Sequence, residues 1–293
     1  MKKFTLLLIL GFLSIVLMDC QSNTKNQSGS AAKRKTLSNP MEDKSLKNQI
    51  EQELQEEQLL GKLLLENFIK DYGNFNSDKP LNKYIQLSGN NISYQFGRSE
   101  IVFKFGILNT MEVNAYSLPG GYVLLTRGLL EKIKNESELA AVMGHEVAHI
   151  NQKHIFKTVR KDRQIGFAET LTSILSMGKA SLSSAMSQAI GESVQLLTKT
   201  GLNREQEFEA DEYGVSFASQ AGYDPRDYIN LLNRLKTKSD TTNLKNTHPP
   251  FDMRVSKIEA MIKSNSISTE LRWDKSSLDE RFSLNFKNLT KME

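Results

Sequence analysis

Two histidines and a glutamate, in His145-Glu146-Val147-Ala148-His149, are the residues whose types and spacing can do chemistry in this chain. On a helix, residues four apart share a face, so both imidazoles can reach one Zn²⁺. Glu146 projects beside them, where a reacting water would sit. The flanking sequence reads as helix: Glu136, Ser137 and Glu138 open it, and an Ala/Val/Met-rich run without Gly or Pro leads to Gly144. Glycine lowers helix stability there, but its small size lets another element approach closely. The chain has only four histidines, and two of them fall at metal spacing around a glutamate. His154 lies about half a helical turn out of phase with His145. If the helix runs that far, His154 faces away and is not a ligand.

A catalytic zinc site has three protein ligands and one open position. The further candidates lie in Asn203-Arg204-Glu205-Gln206-Glu207-Phe208-Glu209-Ala210-Asp211. Glu207 and Asp211 share one helical face. One can bind the metal while the other accepts the far ring N–H of a ligating histidine and fixes its orientation. Glu205 and Glu209 point about 200° away from Glu207. A solvated acidic face is the plain alternative for this stretch.

These residues need elements to hold them. Leu46, Ile50, Leu54, Leu60, Leu64 and Phe68 recur at helical spacing, predicting an amphipathic helix from Leu46 to near Gly73. Pro80 opens a second helix over 80–88. From Ile92 the period changes, and Ile101, Phe103 and Phe105 alternate with Val102, Lys104 and Gly106 as a strand. Met111, Val113 and Ala115 continue as another, and Tyr122–Thr126 follows the Pro119-Gly120-Gly121 turn as a third. A helix starts over Leu129–Ile133. Residues 159–200 predict one or two helices with a break at Gly178, either core or a mobile lid; Glu169, Lys179 and Glu192 exclude a membrane span there. Later helices are expected over 203–222, from Asp224-Pro225 to about Lys238, and over Asp252–Lys263, with a Thr247-His248-Pro249-Pro250 loop between the last two. The fold expected is α+β: a mainly helical domain with a small sheet beside the histidine-bearing helix.

The start of the chain reads as an address. Lys2 and Lys3 precede an apolar run from Phe4 to Met18, a secretory signal over 1–19. Cys20 follows and is the only cysteine, which excludes an internal disulfide and a cysteine zinc site. With Leu17 three positions before it, Cys20 resembles a bacterial lipoprotein lipidation site, although Asp19 stands where a small residue is usual. Residues 20–45 are a polar linker, 46–263 the catalytic domain and 264–293 a polar tail with Trp273 and Phe282 as anchors. The location expected is the cell envelope, on the periplasmic side, anchored to the membrane by lipid on Cys20. A net charge of +4 is too mild to argue for nucleic acid.

Taken together, H-E-x-x-H, then Glu207-Phe208-Glu209-Ala210-Asp211, then Thr247-His248-Pro249, resemble the zinc metallopeptidase family that includes the CaaX prenyl endopeptidase, HtpX and BepA. The segment Asn114-Ala115-Tyr116-Ser117-Leu118-Pro119-Gly120-Gly121 resembles that family's substrate strand, and Arg127-Gly128-Leu129-Leu130 its continuation. The resemblance covers about residues 95–262. It implies one Zn²⁺ per chain held by His145, His149 and Glu207, with Glu146 as catalytic base and Asp211 behind a ligand. It implies a soluble, secreted branch, since the prenyl endopeptidase and HtpX span membranes repeatedly. Asn114, Ala115 and Tyr116 are expected to pair with an extended peptide. His248 is the first candidate for an oxyanion donor, ahead of Tyr213 and Arg254, or else caps the metal at rest. The function implied is an envelope endopeptidase acting on misfolded or envelope proteins. The alternative is a chaperone or assembly factor that holds client proteins over a quiet zinc site.

Overall fold

The computed structural model describes residues 40–73, 79–161, 184–237, 241–287 and 289. In chain order they form helices α1 (Pro40–Tyr72) and α2 (Lys79–Phe96), and strands β1 (Lys104–Leu108), β2 (Ala115–Leu118) and β3 (Tyr122–Thr126). Helices α3 (Arg127–Leu130), α4 (Glu136–Asn151) and α5 (His154–Lys161) come next. Helix α6 (Ser184–Gln195) continues into a π-helical turn (Leu196–Thr200), and α7 (Arg204–Gln220), α8 (Arg226–Lys236), α9 (Thr242–Thr247), α10 (Phe251–Lys263) and α11 (Lys275–Phe286) complete the chain. This is the mainly helical α+β fold expected. The chain divides between Asp43 and Lys44, and the sheet and the hydrophobic core lie in the unit from Lys44 onward. Among the described residues no helix is long and apolar enough to cross a membrane.

Helix α4 is the central element. Asn135 caps it, its side chain accepting from the Glu138 N–H, and every residue from Glu136 to Ile150 is buried. A helix enclosed on all sides belongs to the core rather than the surface. Its closest neighbour is α7, whose buried stripe of Glu207, Ala210, Asp211, Gly214, Val215 and Ala218 follows helical spacing. The two helices meet backbone to backbone. A Cβ on Gly144 would lie 2.5 Å from the Gly214 carbonyl oxygen, and one on Gly214 would lie 2.5 Å from the His145 nitrogen. The close approach expected from a glycine at 144 is present, and it brings the acidic stripe of α7 against the histidine face of α4.

The sheet has the order β1-β3-β2, with β1 parallel and β2 antiparallel to β3. Strand residues alternate between faces. Val123 and Leu125 join the large core with α2, α4, α7, α8, α10 and α11. Leu124 joins a smaller cluster with Leu60, Leu64 and Phe68 of α1 and Tyr116 of β2. The outer edge of β1 is blunted by Gln86 of α2, whose Oε1 accepts from the Phe105 N–H at 2.9 Å. Among the described residues β2 pairs with β3 alone.

Several boundaries differ from expectation. Helix α1 starts at Pro40, inside the expected linker, and its early apolar residues Leu46 and Ile50 are exposed. Helix α2 runs to Phe96 instead of 88. Its buried stripe continues through Ser88, Gly89, Ile92 and Ser93, small and polar residues that hide a helical face from a hydrophobic reading. β1 starts at Lys104; Ile101 and Phe103 are buried and Val102 is exposed, so the alternation holds without strand pairing. Of the 159–200 stretch, 162–183 lie outside the described residues, Gly178 among them. Beyond Ser264 the expected anchor Phe282 is buried, whereas Trp273 is half-exposed. Leu278 and Phe282 of α11 are buried in the core, and Arg281 bonds to buried Glu136 at the start of α4.

Gly214→Ala forces α4 and α7 apart. It should lower stability by about 1–3 kcal/mol, the range for overpacking, and weaken metal binding with it. Thermal unfolding and chelator competition measure the two effects, and wild-type values for both would mean that the helix contact yields without cost.

Candidate metal centre

His145 and His149 project from α4 with their Nε2 atoms 3.0 Å apart. Across from them, Glu207 of α7 places Oε2 3.6 Å from His145 Nε2 and Oε1 3.6 Å from His149 Nε2. All three residues are buried, and among the described residues they form the one group of possible ligand atoms gathered within 4.8 Å. Donors about 2.0–2.1 Å from a tetrahedral zinc stand roughly 3.3 Å apart. The observed separations bracket that value.

The hydrogen bonding gives a second test of fit. His145 Nδ1 lies 3.0 Å from Asp211 Oδ1, slightly out of line for a full hydrogen bond. His149 Nδ1 lies 2.8 Å from His154 Nδ1. His248 Nδ1 lies 3.2 Å from the Leu244 carbonyl oxygen. Ring protons drawn to these outward partners leave bare Nε2 lone pairs facing inward. Glu207 Oε2 is buried there with no donor and lies 3.3 Å from His248 Nε2. Buried lone pairs facing one another repel unless a cation lies between them. Burial opposes charge on His145, but the Asp211 and Glu207 carboxylates outweigh it and raise its pKa to about 9. A proton therefore fills the cationic role when no metal does. Burial pushes His149 well below the usual imidazole range and His248 down to about 4, against the pull of Glu207. Glu207 stays ionised: burial opposes its charge, and the surrounding histidines hold its pKa far below normal. The donor set, charge and spacing fit a divalent zinc.

Asp211 is held in turn. Arg254 of α10 donates to it through Nε at 2.8 Å and Nη2 at 2.7 Å, and Tyr228 of α8 donates at 3.3 Å. Burial works against the Asp211 charge, and Arg254 overcomes it and keeps the carboxylate ionised. Arg254 is thus committed behind the site rather than aimed into it as an oxyanion donor. Tyr213 is also misplaced for that role, being exposed and stacked on Phe217. Tyr228 escaped the sequence reading because Tyr228, Leu231, Leu232 and Leu235 follow ordinary core spacing.

His154 does not face away. Helix α4 ends at Asn151, and the chain turns through Lys153, a non-glycine residue at φ 57°. The turn swings the His154 ring back against His149, with Nε2 3.1 Å from Glu209 Oε2. Glu209 points away from Glu207 as expected, yet it reaches the site through this histidine. A break at Lys153 carries no glycine or proline to announce it.

Glu146 lies between two small cavities. One, of about 30 Å³, is lined by Ala115, Tyr116, Ser117, His149, Glu207, Ile155, Leu196, Leu197, Leu202 and His248 as well as Glu146. That volume holds about one water. The other, also about 30 Å³, adds Asn114, Tyr228 and a wall of leucines including Leu231, Leu235 and Leu244. Burial raises the Glu146 pKa, partly offset by the charge of His145 and a bond from Ser117. A base with raised pKa is better matched to moving protons near neutrality. Asn114 is buried, with Oδ1 accepting from the Ala115 N–H and Nδ2 without a partner. The structure thus brings His145, Glu146, His149, Glu207, Asp211, His248 and the 114–117 segment to one place. Cys20 lies outside the described residues.

Residues 81–262 match peptidase family M48. The chain is similar to the beta-barrel assembly-enhancing protease of Escherichia coli K12, 28% identical over 61% of this chain and 38% of that protein. It is similar to the protein of the same name from Yersinia pestis, 26% identical over 61% of this chain and 38% of the relative. It is also similar to the mitochondrial metalloendopeptidase OMA1 of Schizosaccharomyces pombe, 29% identical over 59% of this chain and 51% of the relative. The chain thus spans about two-fifths to half the length of these relatives.

The geometry makes a joint prediction about stoichiometry and protons. Purified protein should take up about one Zn²⁺ per chain by the three-ligand argument, and His145→Ala, His149→Ala and Glu207→Ala should each lose it. At pH 7 His145 carries a proton that must leave when Nε2 becomes a ligand, since its folded pKa is raised to about 9. Uptake should therefore release about one proton, and affinity should rise about tenfold per pH unit before levelling off near that pKa. Calorimetry in buffers of different ionisation enthalpy counts the protons. Full zinc occupancy in Glu207→Ala contradicts the ligand set, and uptake with no proton released means that His145 is already neutral at pH 7.

Proposed function

The chain belongs to peptidase family M48, and from that premise we propose that it is a zinc-dependent endopeptidase of the cell envelope, cutting misfolded or envelope proteins. The observation that carries this reading is the set of inward-facing buried donors with the carboxylate of Glu146 beside them and a strand edge along the same cleft. Binding alone has no use for Glu146, which the ligand geometry does not require. Bound zinc supplies Lewis-acid polarisation of the scissile carbonyl and acidifies water at the centre. Glu146 then takes the proton from the attacking water and delivers it to the leaving amine. The free edge of β2 holds the peptide extended as an added strand, and the unpaired Nδ2 of Asn114 offers its carbonyl a donor. His145, His149 and Glu207 hold the metal; Asp211 orients His145.

His248 carries the choice between two states of this site. Its Nε2 stands beside Glu207 at a separation that suits two donors to one ion, and the cleft has room for about one water. Both facts favour His248 as a cap at rest over His248 as an oxyanion donor. They also favour a second reading, a client-binding assembly factor whose zinc site is mostly quiet. Residues 1–39 would deliver either protein to the envelope: a signal over 1–19, then lipid on Cys20, placing the body on the periplasmic side of a membrane.

Initial rates on an unfolded protein substrate, at equal zinc content, separate the readings. Glu146→Gln keeps the zinc and the fold and should lose turnover by roughly 10²-fold or more, as expected of a general base. His248→Ala should raise basal cleavage if the residue caps the metal, or lower it by about 10²-fold if it stabilises the oxyanion. A Glu146→Gln protein as active as wild type ends the protease reading and leaves the client-binding one. Labelled palmitate should enter the full chain expressed in a Gram-negative host and be absent from Cys20→Ala; equal labelling of both refutes the anchor.

A further inference from the structure

Both ligand histidines need their outer ring nitrogens held, because a histidine that binds metal through Nε2 must carry its proton on Nδ1 and point it at an acceptor. For His145 the acceptor is Asp211. For His149 no carboxylate or carbonyl among the described residues takes that place, and its Nδ1 lies 2.8 Å from the Nδ1 of His154. Two imidazole nitrogens at that distance share one proton. If His149 donates, His154 Nδ1 accepts, and the His154 proton sits on Nε2. That nitrogen is 3.1 Å from a carboxylate oxygen of Glu209, which can only accept. The three groups thus admit one consistent arrangement of protons, running from Glu209 inward: carboxylate, Nε2–H of His154, bare Nδ1 of His154, Nδ1–H of His149, bare Nε2 of His149 toward the centre.

The backbone is bent to make this contact. Lys153 adopts the left-handed conformation, which costs a non-glycine residue about 1 kcal/mol or more. The bend is held from outside by Glu53 of α1, whose carboxylate takes Lys153 Nζ at 2.6 Å and Arg160 at 2.9 Å. Without the bend, a continued α4 would carry His154 to the far side of the helix.

We propose that His154 and Glu209 are positioning residues for the metal centre: Glu209 fixes the tautomer of His154, and His154 in turn fixes the ring orientation and tautomer of His149. The proposal rests on the reading of His149 as a zinc ligand. It assigns His154 no contact with substrate and no ligand bond, and it gives the centre two unlike braces, Asp211 with Arg254 on His145 and a histidine–carboxylate pair on His149.

The test is zinc affinity by chelator competition on the full chain, with the visible spectrum of the cobalt-substituted protein as a second readout. His154→Phe keeps an aromatic ring in the space but offers no acceptor. It should bind zinc about 10- to 100-fold more weakly, the scale of losing a ligand's partner, and should shift the cobalt bands. His154→Asn places Oδ1 near the position of Nδ1, so it should recover most of the affinity and the wild-type spectrum. A packing role alone predicts the reverse order, with Phe milder than Asn. Glu209→Ala, at a half-exposed side chain, should weaken zinc less than His154→Phe, and it decides the matter if His154→Phe does not fold. Wild-type affinity in His154→Phe or, failing that, in Glu209→Ala overturns the proposal, as does a His154→Asn protein no better than His154→Phe. Loss of zinc from His149→Ala alongside such a result confines the failure to the brace; zinc retained by His149→Ala overturns the ligand reading and the proposal with it.

Discussion

At Gly144 and Gly214 two helices cross with no side chain between their backbones. Ordinary helix packing keeps axes 8–10 Å apart, with side chains filling the gap. Here the close crossing brings Glu207 and Asp211 against His145 and His149, residues separated in the chain by some sixty positions. The inward donors are held at ionic distances by this contact, and the glycines give up helix stability locally to allow it. The remaining architecture supports the crossing: α2 and the sheet pack against α4, α8 also packs against α4, and α10 packs against both α7 and α8.

Such a crossing concentrates electrostatic cost. Three buried groups and the partly exposed His248 turn lone pairs toward one another, and each needs compensation from its outer side or from a cation at the centre. The outer compensation is asymmetric. Asp211 is charged and bears a buried arginine and a tyrosine behind it. His154 is uncharged as the proposed brace requires and lies against half-exposed Glu209. The two braces therefore respond differently to their surroundings. A fully buried ion pair resists salt and strongly penalises loss of one partner, whereas the Glu209 end is open to screening.

The cleft reflects the same economy. β2 offers an edge beside Glu146, while the opposite edge of the sheet is occupied by the side chain of Gln86. A strand edge without a backbone partner can accept an added strand, and among the described residues the β2 edge is the one that lies beside Glu146. The space between β2 and the Leu196–Leu202 segment is small, and a bound peptide requires the walls to part. The alternatives of a working protease and a client holder differ in how readily that parting occurs, not in the residues that line it.

The sequence by itself determined what depends on local periodicity. His145 and His149 at four-residue spacing, Glu207 and Asp211 likewise, and the apolar stripe of the 122–126 strand were legible because neighbours on one helix or strand fix each other's direction. The family resemblance supplied the link between the two helices. Tertiary structure alone decided what depends on contacts between distant segments. Helix α2 continues past residue 88 with Gly89, small enough to lie under Phe105, at a place that no hydrophobic pattern marks. Tyr228 and Arg254 became supports for Asp211 because α10 packs on α7 and α8 packs on α4 and α10, which brings both side chains to it, although their spacing reads as core. His154 returned to His149 because a left-handed turn at Lys153, braced by Glu53 from a helix a hundred residues away, ends α4 where its sequence could have continued. Side-chain direction along one element is set by the backbone repeat, but the end of a helix and the partner across a gap are set by whichever distant groups compensate the strain and the buried charge.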